Sequence, residues 1–445
     1  MRTAPATRRA FDRARFADIA DWLAIAVAVS LPWSTSATSI LIALWLVALI
    51  PALNVGELGR STRHPAAALP LVLGGLALIG VLWSVAPLRE SLSSLESFAK
   101  LLMIPLLIFQ FSRSGKGMKV AYAFLISCAA LLVLSWLLTF FPAIPWRYAR
   151  GGTRGIPVKE YIIQSGEFLL CVFALAHLAL DAWQKRQWRR AAVLAAGALI
   201  FFANIVFVAT SRTSVIVFFF LALAFGFQRF RWKGAIAGAL AACALGVLAA
   251  ALSPYLRERV LNVIEEVDDY SQRDAETSTG YRLEFWKKSA HIIAQAPIVG
   301  HGTGSIEEMF RRDAVGKSGM SAAVTANPHN QTLSIGIQFG LLGVSVLFAM
   351  WIAHALLFCR PGLAASIGLA VVVQNVVSSL SNSQLFYFAP GWLYVFGVGA
   401  LGGVVLRELQ RSGPSPGIDT ASGTSTDPSQ RVAGSAFTHP PSAPQ

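Results

Sequence analysis

Residues 191–227 read AAVLAAGALIFFANIVFVATSRTSVIVFFFLALAFGF, an apolar stretch that is interrupted once, by TSRTS at 210–214. About 20 apolar residues in a helix cross the roughly 30 Å hydrocarbon core of a bilayer. The stretch therefore predicts two membrane-spanning helices that meet at a short polar turn. A charge at membrane depth is costly and marks a functional site by default, so Arg212 is a candidate. The alternative is that its side chain extends to the lipid headgroups.

Apolar runs of this length recur along the whole chain. Hydrophobic residues make up 55% of the 445 residues and charged residues only 13%, a composition that a soluble domain of this size does not tolerate. The sequence therefore predicts an all-α integral membrane protein with about twelve transmembrane helices. The predicted spans lie near residues 17–33, 37–53, 68–86, 92–111, 119–141, 160–182, 189–207, 211–228, 233–253, 329–356, 361–380 and 384–406.

The distribution of basic residues among the loops predicts the orientation of these helices. Cytoplasmic loops collect Lys and Arg, and here every second loop is basic. The basic loops are those at 60–63, 113–119, 185–190 and 229–233. An even number of spans places both termini on one side, and the five arginines that precede residue 16 make that side the cytoplasm.

This topology divides the chain into five parts. They are a basic cytoplasmic arm (1–16), spans one to nine (17–252), a periplasmic loop domain (253–327), spans ten to twelve (328–408) and a cytoplasmic tail (409–445). The tail has too few large apolar residues to offset its ordering entropy, so we expect it to be disordered. The loop domain between spans nine and ten is the one large external segment, and its apolar spacing predicts that it is mostly helical.

Two segments on the predicted external side carry cations where the topology disfavours them. The first, residues 146–159, holds four cations among prolines and glycines: Arg147, Arg150, Arg154 and Lys159. We expect these cations to cradle a phosphate or sugar phosphate, unless they bind anionic lipid headgroups. Lys100, well inside the fourth span, is a further substrate-binding candidate, unless its side chain extends to the membrane surface.

The second cationic segment is the loop domain itself. An amphipathic helix after Pro254 and a second helix near 281–295 are expected to lie over the bundle. The glycines of segment 300–304 permit tight turns near a ligand, but they do not lead from a strand into a helix, so a dinucleotide site is excluded. The acidic cluster at 265–269 has no histidine or glycine-loop context, and we expect a solvated helix face rather than a metal site.

A short motif, Asn327-Pro328-His329-Asn330, leads from the loop domain into the tenth span. Asparagine is a favoured helix N-cap and proline a favoured first helical residue, which predicts that His329 lies in the first helical turn. The positive end of the helix dipole disfavours an imidazolium there, so we expect His329 to be a neutral base. The alternative is a histidine that hydrogen-bonds to interfacial backbone.

Together these motifs resemble the shared C-terminal signature of bacterial O-antigen ligases and O-antigen polymerases. The residues that carry the resemblance are Ser211 and Arg212, Arg282 and Trp286, Pro297, Gly300, Gly302 and Gly304, Pro328, His329, Asn330 and Leu333, and Gly340 and Gly343. The motifs cover roughly residues 205–345. The resemblance implies transfer of a glycan from undecaprenyl pyrophosphate on the periplasmic side of the bacterial inner membrane.

The resemblance also implies roles for individual residues. His329 is expected to deprotonate the acceptor hydroxyl, while Arg212 and Arg282 bind the pyrophosphate and stabilise the charge that it gains as leaving group. Asn330 of the same motif is assigned to substrate binding. Because positioned cations replace a metal ion at a leaving group of this kind, no metal and no cofactor is expected. Direct displacement by the acceptor inverts the anomeric centre.

Three classes of function remain open at this level: a ligase, a polymerase or related oligosaccharyltransferase, and a transporter. A ligase, favoured by the single large external loop, passes the glycan to lipid A–core oligosaccharide in lipopolysaccharide biosynthesis. A polymerase passes it to a second lipid-linked unit, and a related oligosaccharyltransferase passes it to protein. A lipid-linked-sugar flippase or anion transporter would place charges in discontinuous helices near the midplane. The expected partners are the lipid-linked donor, lipid A–core and the bilayer, with no nucleic acid.

Overall fold

The computed structural model describes residues 13–146, 154–258, 261–262, 266 and 277–412. Every regular element within these ranges is helical, which confirms the all-α fold. The α-helices with defined bounds are α1 (Arg13–Ser30), α2 (Thr35–Leu49), α3 (Val55–Ser61), α4 (Pro65–Ile79), α5 (Leu88–Ala99), α6 (Met103–Arg113), α7 (Gly117–Phe140), α8 (Tyr161–Gln184), α9 (Trp188–Phe207), α10 (Arg212–Leu252), α11 (Ser278–Gln295), α12 (Ile306–Asp313), α13 (Gln331–Phe358), α14 (Leu363–Ser378) and α15 (Phe388–Ser412).

Nine helical segments of the described chain are long and apolar enough to cross a membrane, so the chain is a multi-pass membrane protein. Three of the twelve predicted spans do not meet this criterion as separate helices, for different reasons. Helix α1 carries four charged residues, α14 has only 16 residues, and α10 contains two predicted spans within one element. The count of twelve therefore stays a prediction.

Helix α10 reverses direction in its middle. Phe230 and Arg231 have non-helical backbone angles, and Arg231 has a φ of 55°. A Cβ atom added to Gly226 would collide with the carbonyl group of Gly234, so the two halves run back along each other at backbone contact. Small residues permit such a close approach between helices in a membrane. The predicted boundary between the eighth and ninth spans is thereby placed at residues 230–231.

The glycine segment 300–304 packs into a break in helix α13. The break is at Gly340, whose φ is 58°. The backbone N–H groups of His301 and Gly302 donate to the carbonyls of Ile337 and Gln338, at 2.9 and 2.8 Å. A Cβ atom on Gly300 would collide with the backbone of Gln338. These tight turns, which the sequence suggested lie near a ligand, therefore join the loop domain to the membrane helix.

Helix α15 packs closely against helix α6. On α15, a Cβ atom added to Gly399 would collide with the side chain of Leu107, and one added to Gly403 would lie 2.7 Å from Cβ of Phe111. Phe111 and Tyr394 are almost fully buried in the resulting core. Van der Waals packing of this kind is the main source of helix association in lipid. It gives the ends of α8, α13 and α15 fixed relative positions.

Candidate active site

Four helices begin around one cavity of about 190 Å³, here called the histidine cavity. Its lining residues are Glu160, Ile162, Ile163, Gly166, Glu167, Leu169, Thr213, Ser214, Val217, Arg282, His329, Gln374, Ser378, Asn382, Gln384, Tyr387, Pro390 and Leu393. These lining residues include the first turns of α8, α10 and α15, together with His329, which lies two residues before α13 begins. Helix N-termini present free N–H groups and a positive dipole end. Such helix starts favour an anion, while Glu160 and Glu167 add two carboxylates to the lining of the same cavity.

His329 lies just before helix α13 and not in its first turn, so the predicted cap was wrong. The helix begins at Gln331, and the N-cap is Asn330, whose Oδ1 accepts from the N–H of Leu333 at 3.1 Å. His329 itself has a φ of 55°. A left-handed conformation is unusual for a residue with a side chain and persists where neighbours enforce it. Here the His329 N–H donates to Asn327 Oδ1 at 2.9 Å.

The imidazole of His329 is oriented by Asn382. The His329 Nδ1 atom lies 3.1 Å from Asn382 Oδ1, and the same oxygen accepts the backbone N–H of Ser383 at 3.2 Å. Because a backbone N–H only donates, that atom is the amide oxygen, and Nδ1 must carry the proton. The lone pair is then on Nε2. The ring of Phe285 stacks on the other side, with 6.4 Å between ring centroids.

The surroundings of His329 keep it neutral. Burial lowers the pKa of His329 below its usual value of 6.5, and the positive charge of Arg282 lowers it further. The hydrogen bond to Asn382 opposes this shift without cancelling it. A neutral imidazole with a free Nε2 lone pair is a competent general base. The lowered pKa agrees with the expected neutral imidazole, whereas the role of His329 as a base stays a prediction and the predicted helix position is wrong.

Arg282, in the second turn of α11, is half-buried and lines the histidine cavity. Within the described part of the chain, no hydrogen bond or ion pair engages its guanidinium. A guanidinium binds phosphate oxygens through parallel hydrogen bonds. Arg282 is therefore available to an anionic ligand beside the base.

Arg212 is the first residue of α10, and its guanidinium is already engaged. It forms two hydrogen bonds to the carboxylate of Glu266, at 2.6 and 3.1 Å. These bonds lower the pKa of Glu266 to about 2. Glu266 is therefore an ion-pair partner and not part of a solvated helix face. Thr213 and Ser214, the next residues of α10, line the histidine cavity, so Arg212 lies beside it with its charge directed at the loop domain.

The predicted cradle of four cations divides in the structure. Arg147 and Arg150 lie outside the described residues, and Arg154 is exposed and does not line the histidine cavity. Lys159 is bound internally: its Nζ pairs with Glu167 Oε1 at 3.0 Å and donates to the carbonyl of Leu31. The structure thus does not bring Arg154 and Lys159 to His329 as direct ligand-binding groups.

Lys100 and Asn330 both hold the segment between α14 and α15. The Lys100 ammonium donates to the carbonyls of Phe386 and Tyr387, each at 3.2 Å. The Asn330 side chain caps α13 and donates to the carbonyl of Leu380 at 3.1 Å. Neither residue lines the histidine cavity. Both instead position the segment that carries Asn382 and Tyr387.

Three residues of the site were not identified from the sequence: Asn382, Tyr387 and Glu167. Asn382 lies in the short loop predicted between the spans near 361–380 and 384–406, whereas Tyr387 lies inside the second of these predicted spans. In the structure both belong to the polar segment SLSNSQLFY at 379–387, which precedes α15. Tyr387 Oη accepts from Asn327 Nδ2 at 3.0 Å. Glu167, inside α8, is 3% exposed, and its Oε2 has no hydrogen-bond partner among the described residues. A carboxylate in the middle of an apolar run was the available signal for it.

Comparisons with known proteins concern the central part of the chain, which contains three of the candidate residues. Residues 196–348 match the family model of the O-antigen ligase domain (Wzy_C), a range that contains Arg212, Arg282 and His329. A stretch of 142 residues is 29% identical to an uncharacterized protein of Haemophilus influenzae. That match covers 31% of this chain and 35% of the relative. Residues 196–348 of this multi-pass membrane protein are therefore similar to the O-antigen ligase domain, which supports a relationship to the O-antigen ligase and polymerase superfamily.

Proposed function

We propose that this protein is an O-antigen ligase of the bacterial inner membrane. It transfers a glycan from undecaprenyl pyrophosphate to lipid A–core oligosaccharide at the periplasmic face. The observation that carries the proposal is the histidine cavity, where four helix N-termini, the guanidinium of Arg282, which pairs with none of the described residues, and the neutral His329 converge. The first two features suit a pyrophosphate, and the third suits an attacking hydroxyl.

On the donor side, the cavity provides positive charge without a metal ion. Arg282 and the N–H groups at the starts of α8 and α10 bind the pyrophosphate oxygens. No group of three or more His, Cys, Asp or Glu side chains that would bind a metal ion lies among the described residues. Positioned cations stabilise the charge that develops on pyrophosphate as its bond to the sugar breaks.

On the acceptor side, His329 Nε2 takes the proton of the acceptor hydroxyl. The hydroxyl oxygen forms a bond to the anomeric carbon while the bond from that carbon to the pyrophosphate oxygen breaks. The electron pair of the broken bond leaves on undecaprenyl pyrophosphate, and the proton stays on the imidazole. The oxygen attacks opposite the leaving group, so the anomeric configuration inverts. Asn382 accepts from Nδ1–H throughout and stabilises the imidazolium that forms.

The single experiment that tests the proposal is reconstitution of the purified protein in liposomes with a choice of acceptors. We expect transfer from undecaprenyl pyrophosphate-linked glycan to lipid A–core, unaffected by EDTA. Growth of the lipid-linked glycan instead would identify a polymerase, and transfer to a periplasmic protein would identify a protein O-oligosaccharyltransferase. Movement of intact donor across the bilayer without transfer would identify a flippase. Heat-inactivated protein in matched liposomes is the control.

A further inference from the structure

A second cavity, of about 460 Å³, shares a wall with the histidine cavity and is here called the serine cavity. Tyr387 lines both cavities. The serine cavity is lined by Glu90, Ser93, Ser94, Ser97, Phe98, Gly304, Ile306, Glu307, Ala326, Asn327, Gln338, Phe386 and Tyr387. None of the reaction steps above uses it.

The lining of the serine cavity has the composition of a binding site for uncharged hydroxyl groups. Three serine hydroxyls project from one side of α5, and Glu90, Asn327 and Gln338 add acceptors and donors. Phe98, Phe386 and Tyr387 supply aromatic surface. None of the described residues that line it is basic, in contrast to the histidine cavity with Arg282. An anionic group such as pyrophosphate is therefore disfavoured here, whereas a neutral sugar is not.

Several polar groups of the serine cavity are free to bind a ligand. The hydroxyls of Ser94 and Ser97 form no hydrogen bond with another described residue. Gly304 borders this face with a φ of 79°, and a Cβ atom there would lie 2.9 Å from Ser94 Oγ. The Gly304 N–H donates to Gln338 Oε1 at 2.8 Å, which anchors the opposite wall. The absence of a side chain at residue 304 thus lets the glycine segment pack directly against α5 beside Ser94.

Asn327 connects the serine cavity to the base. Its Nδ2 donates to Tyr387 Oη at 3.0 Å, and its Oδ1 accepts the backbone N–H of His329 at 2.9 Å. A saccharide in the serine cavity would contact Asn327 and Tyr387 directly. One of its hydroxyl groups, or a hydroxyl group of the adjoining sugar, would then be held next to His329. Holding two reactants side by side in this way raises the rate of a bimolecular transfer.

We propose that the serine cavity is the acceptor subsite, which binds a neutral sugar of the acceptor glycan through Glu90, Ser94 and Ser97. This inference rests on the proposed function and specifies where its second substrate is recognised. The donor enters by its pyrophosphate, which Arg282 in the histidine cavity binds, whereas none of the described residues that line the serine cavity is basic. The acceptor offers hydroxyl groups, which can form hydrogen bonds with the polar side chains of the serine cavity.

The test compares variants on one helix by steady-state kinetics in liposomes. We expect Glu90→Gln and the double variant Ser94→Ala with Ser97→Ala each to raise the KM for lipid A–core about tenfold. Loss of one or two hydrogen bonds to a ligand corresponds to about that factor. The KM for undecaprenyl pyrophosphate-linked glycan and the kcat should stay within about twofold of wild type. Glu96→Gln, on the same helix but outside the cavity lining, is the matched control and should leave all three unchanged.

A direct binding measurement makes the assignment independent of turnover. Core oligosaccharide released from lipid A should bind the wild-type protein in saturation-transfer difference NMR, with a signal that Ser97→Phe abolishes because its ring fills the cavity. A rise in donor KM instead of acceptor KM, or variants that match Glu96→Gln, would overturn the acceptor subsite while leaving the ligase proposal intact. If wild-type protein fails to use lipid A–core at all, the proposed function itself is wrong.

Discussion

At the scale of single residues, His329 depends on two asparagines. Asn327 holds the backbone of His329 in its left-handed conformation, and Asn382 binds the Nδ1 proton. Asn327 Oδ1 also accepts from Ser383 Oγ at 2.7 Å, so the two asparagines are joined through the 379–387 segment. An imidazole with both its backbone and one ring nitrogen held in this way presents Nε2 in a single direction, as general-base catalysis requires.

His329→Ala should reduce transfer by about 100- to 10,000-fold, the usual contribution of a general base. Binding of undecaprenyl pyrophosphate-linked glycan should persist because Arg282 and the helix N-termini remain. Transfer rate and donor binding are measured on the same liposomes, with thermal stability as the control for folding. Wild-type transfer by the alanine variant would remove His329 from the mechanism.

The pH dependence of kcat/KM should reveal the lowered pKa of His329. The base form exists above this pKa, so activity should be lost only as the pH falls below about 6.5, the usual histidine value. Asn382→Asp places a carboxylate next to Nδ1, which favours the imidazolium and raises the pKa. The acidic limb of the profile should therefore move to higher pH in this variant. Asn382→Ala, which lacks the charge, should lower kcat without this upward shift.

At the scale of elements, the site is built from helix ends. The first turns of α8, α10 and α15 and the approach to α13 surround one cavity, while α11 contributes Arg282 from the loop domain. Helix starts give positive potential without side chains, and arginine gives the directional bonds. The polar interruption at residues 210–214 is explained by this arrangement, since α10 begins at Arg212.

Arg282→Ala should raise the donor KM and lower kcat far more than Arg282→Lys. Lysine keeps the charge but loses the paired hydrogen bonds of the guanidinium. Kinetics with varied undecaprenyl pyrophosphate-linked glycan measure the difference. Arg311→Ala, an exposed arginine of α12 that pairs with Glu307 and Glu308, is the control and should have little effect. Equal donor kinetics in the Arg282→Ala and Arg311→Ala variants would contradict pyrophosphate binding by Arg282.

The ion pair between Arg212 and Glu266 should compete with the donor. Pyrophosphate can bind Arg212 only after the Glu266 carboxylate leaves, and a partly exposed pair contributes at most about 1 kcal/mol. Glu266→Gln should therefore lower the donor KM by up to about fivefold, whereas Arg212→Ala raises it. An increased donor KM in Glu266→Gln, together with faster proteolysis of the loop domain, would show that the pair is structural instead.

At the scale of the whole molecule, the loop domain is tied to the bundle on two sides. The glycine segment 300–304 binds the broken helix α13, and Glu266 binds the start of α10. The Thr303 N–H also donates to the carbonyl of Gly80 at 3.1 Å, next to the end of α4. Both cavities are lined by residues of this domain together with residues at helix ends.

The proposed orientation places this surface in the periplasm. Lys317→Cys, in the loop domain, should react with a membrane-impermeant maleimide in intact cells after removal of the outer membrane. Lys185→Cys, in a basic loop, should react only after the inner membrane is permeabilised. Both variants are made in a background without Cys243 and Cys359, which are exposed. Reaction of Lys317→Cys only after permeabilisation would reverse the topology and place the site in the cytoplasm.

The sequence by itself determined the helical membrane fold and singled out Arg212, Arg282 and His329 as candidate residues of the site. Apolar runs and isolated charges are local properties, so the polar turn at Arg212 and the histidine motif were recognisable without coordinates. Tertiary structure decided which of two asparagines caps α13. Asn327 is bound to Ser383 and Tyr387 from a distant segment, which leaves Asn330 as the cap and His329 outside the helix. It also decided that Arg212 meets Glu266 while Arg282 pairs with none of the described residues, because such pairings depend on which helix ends meet in space.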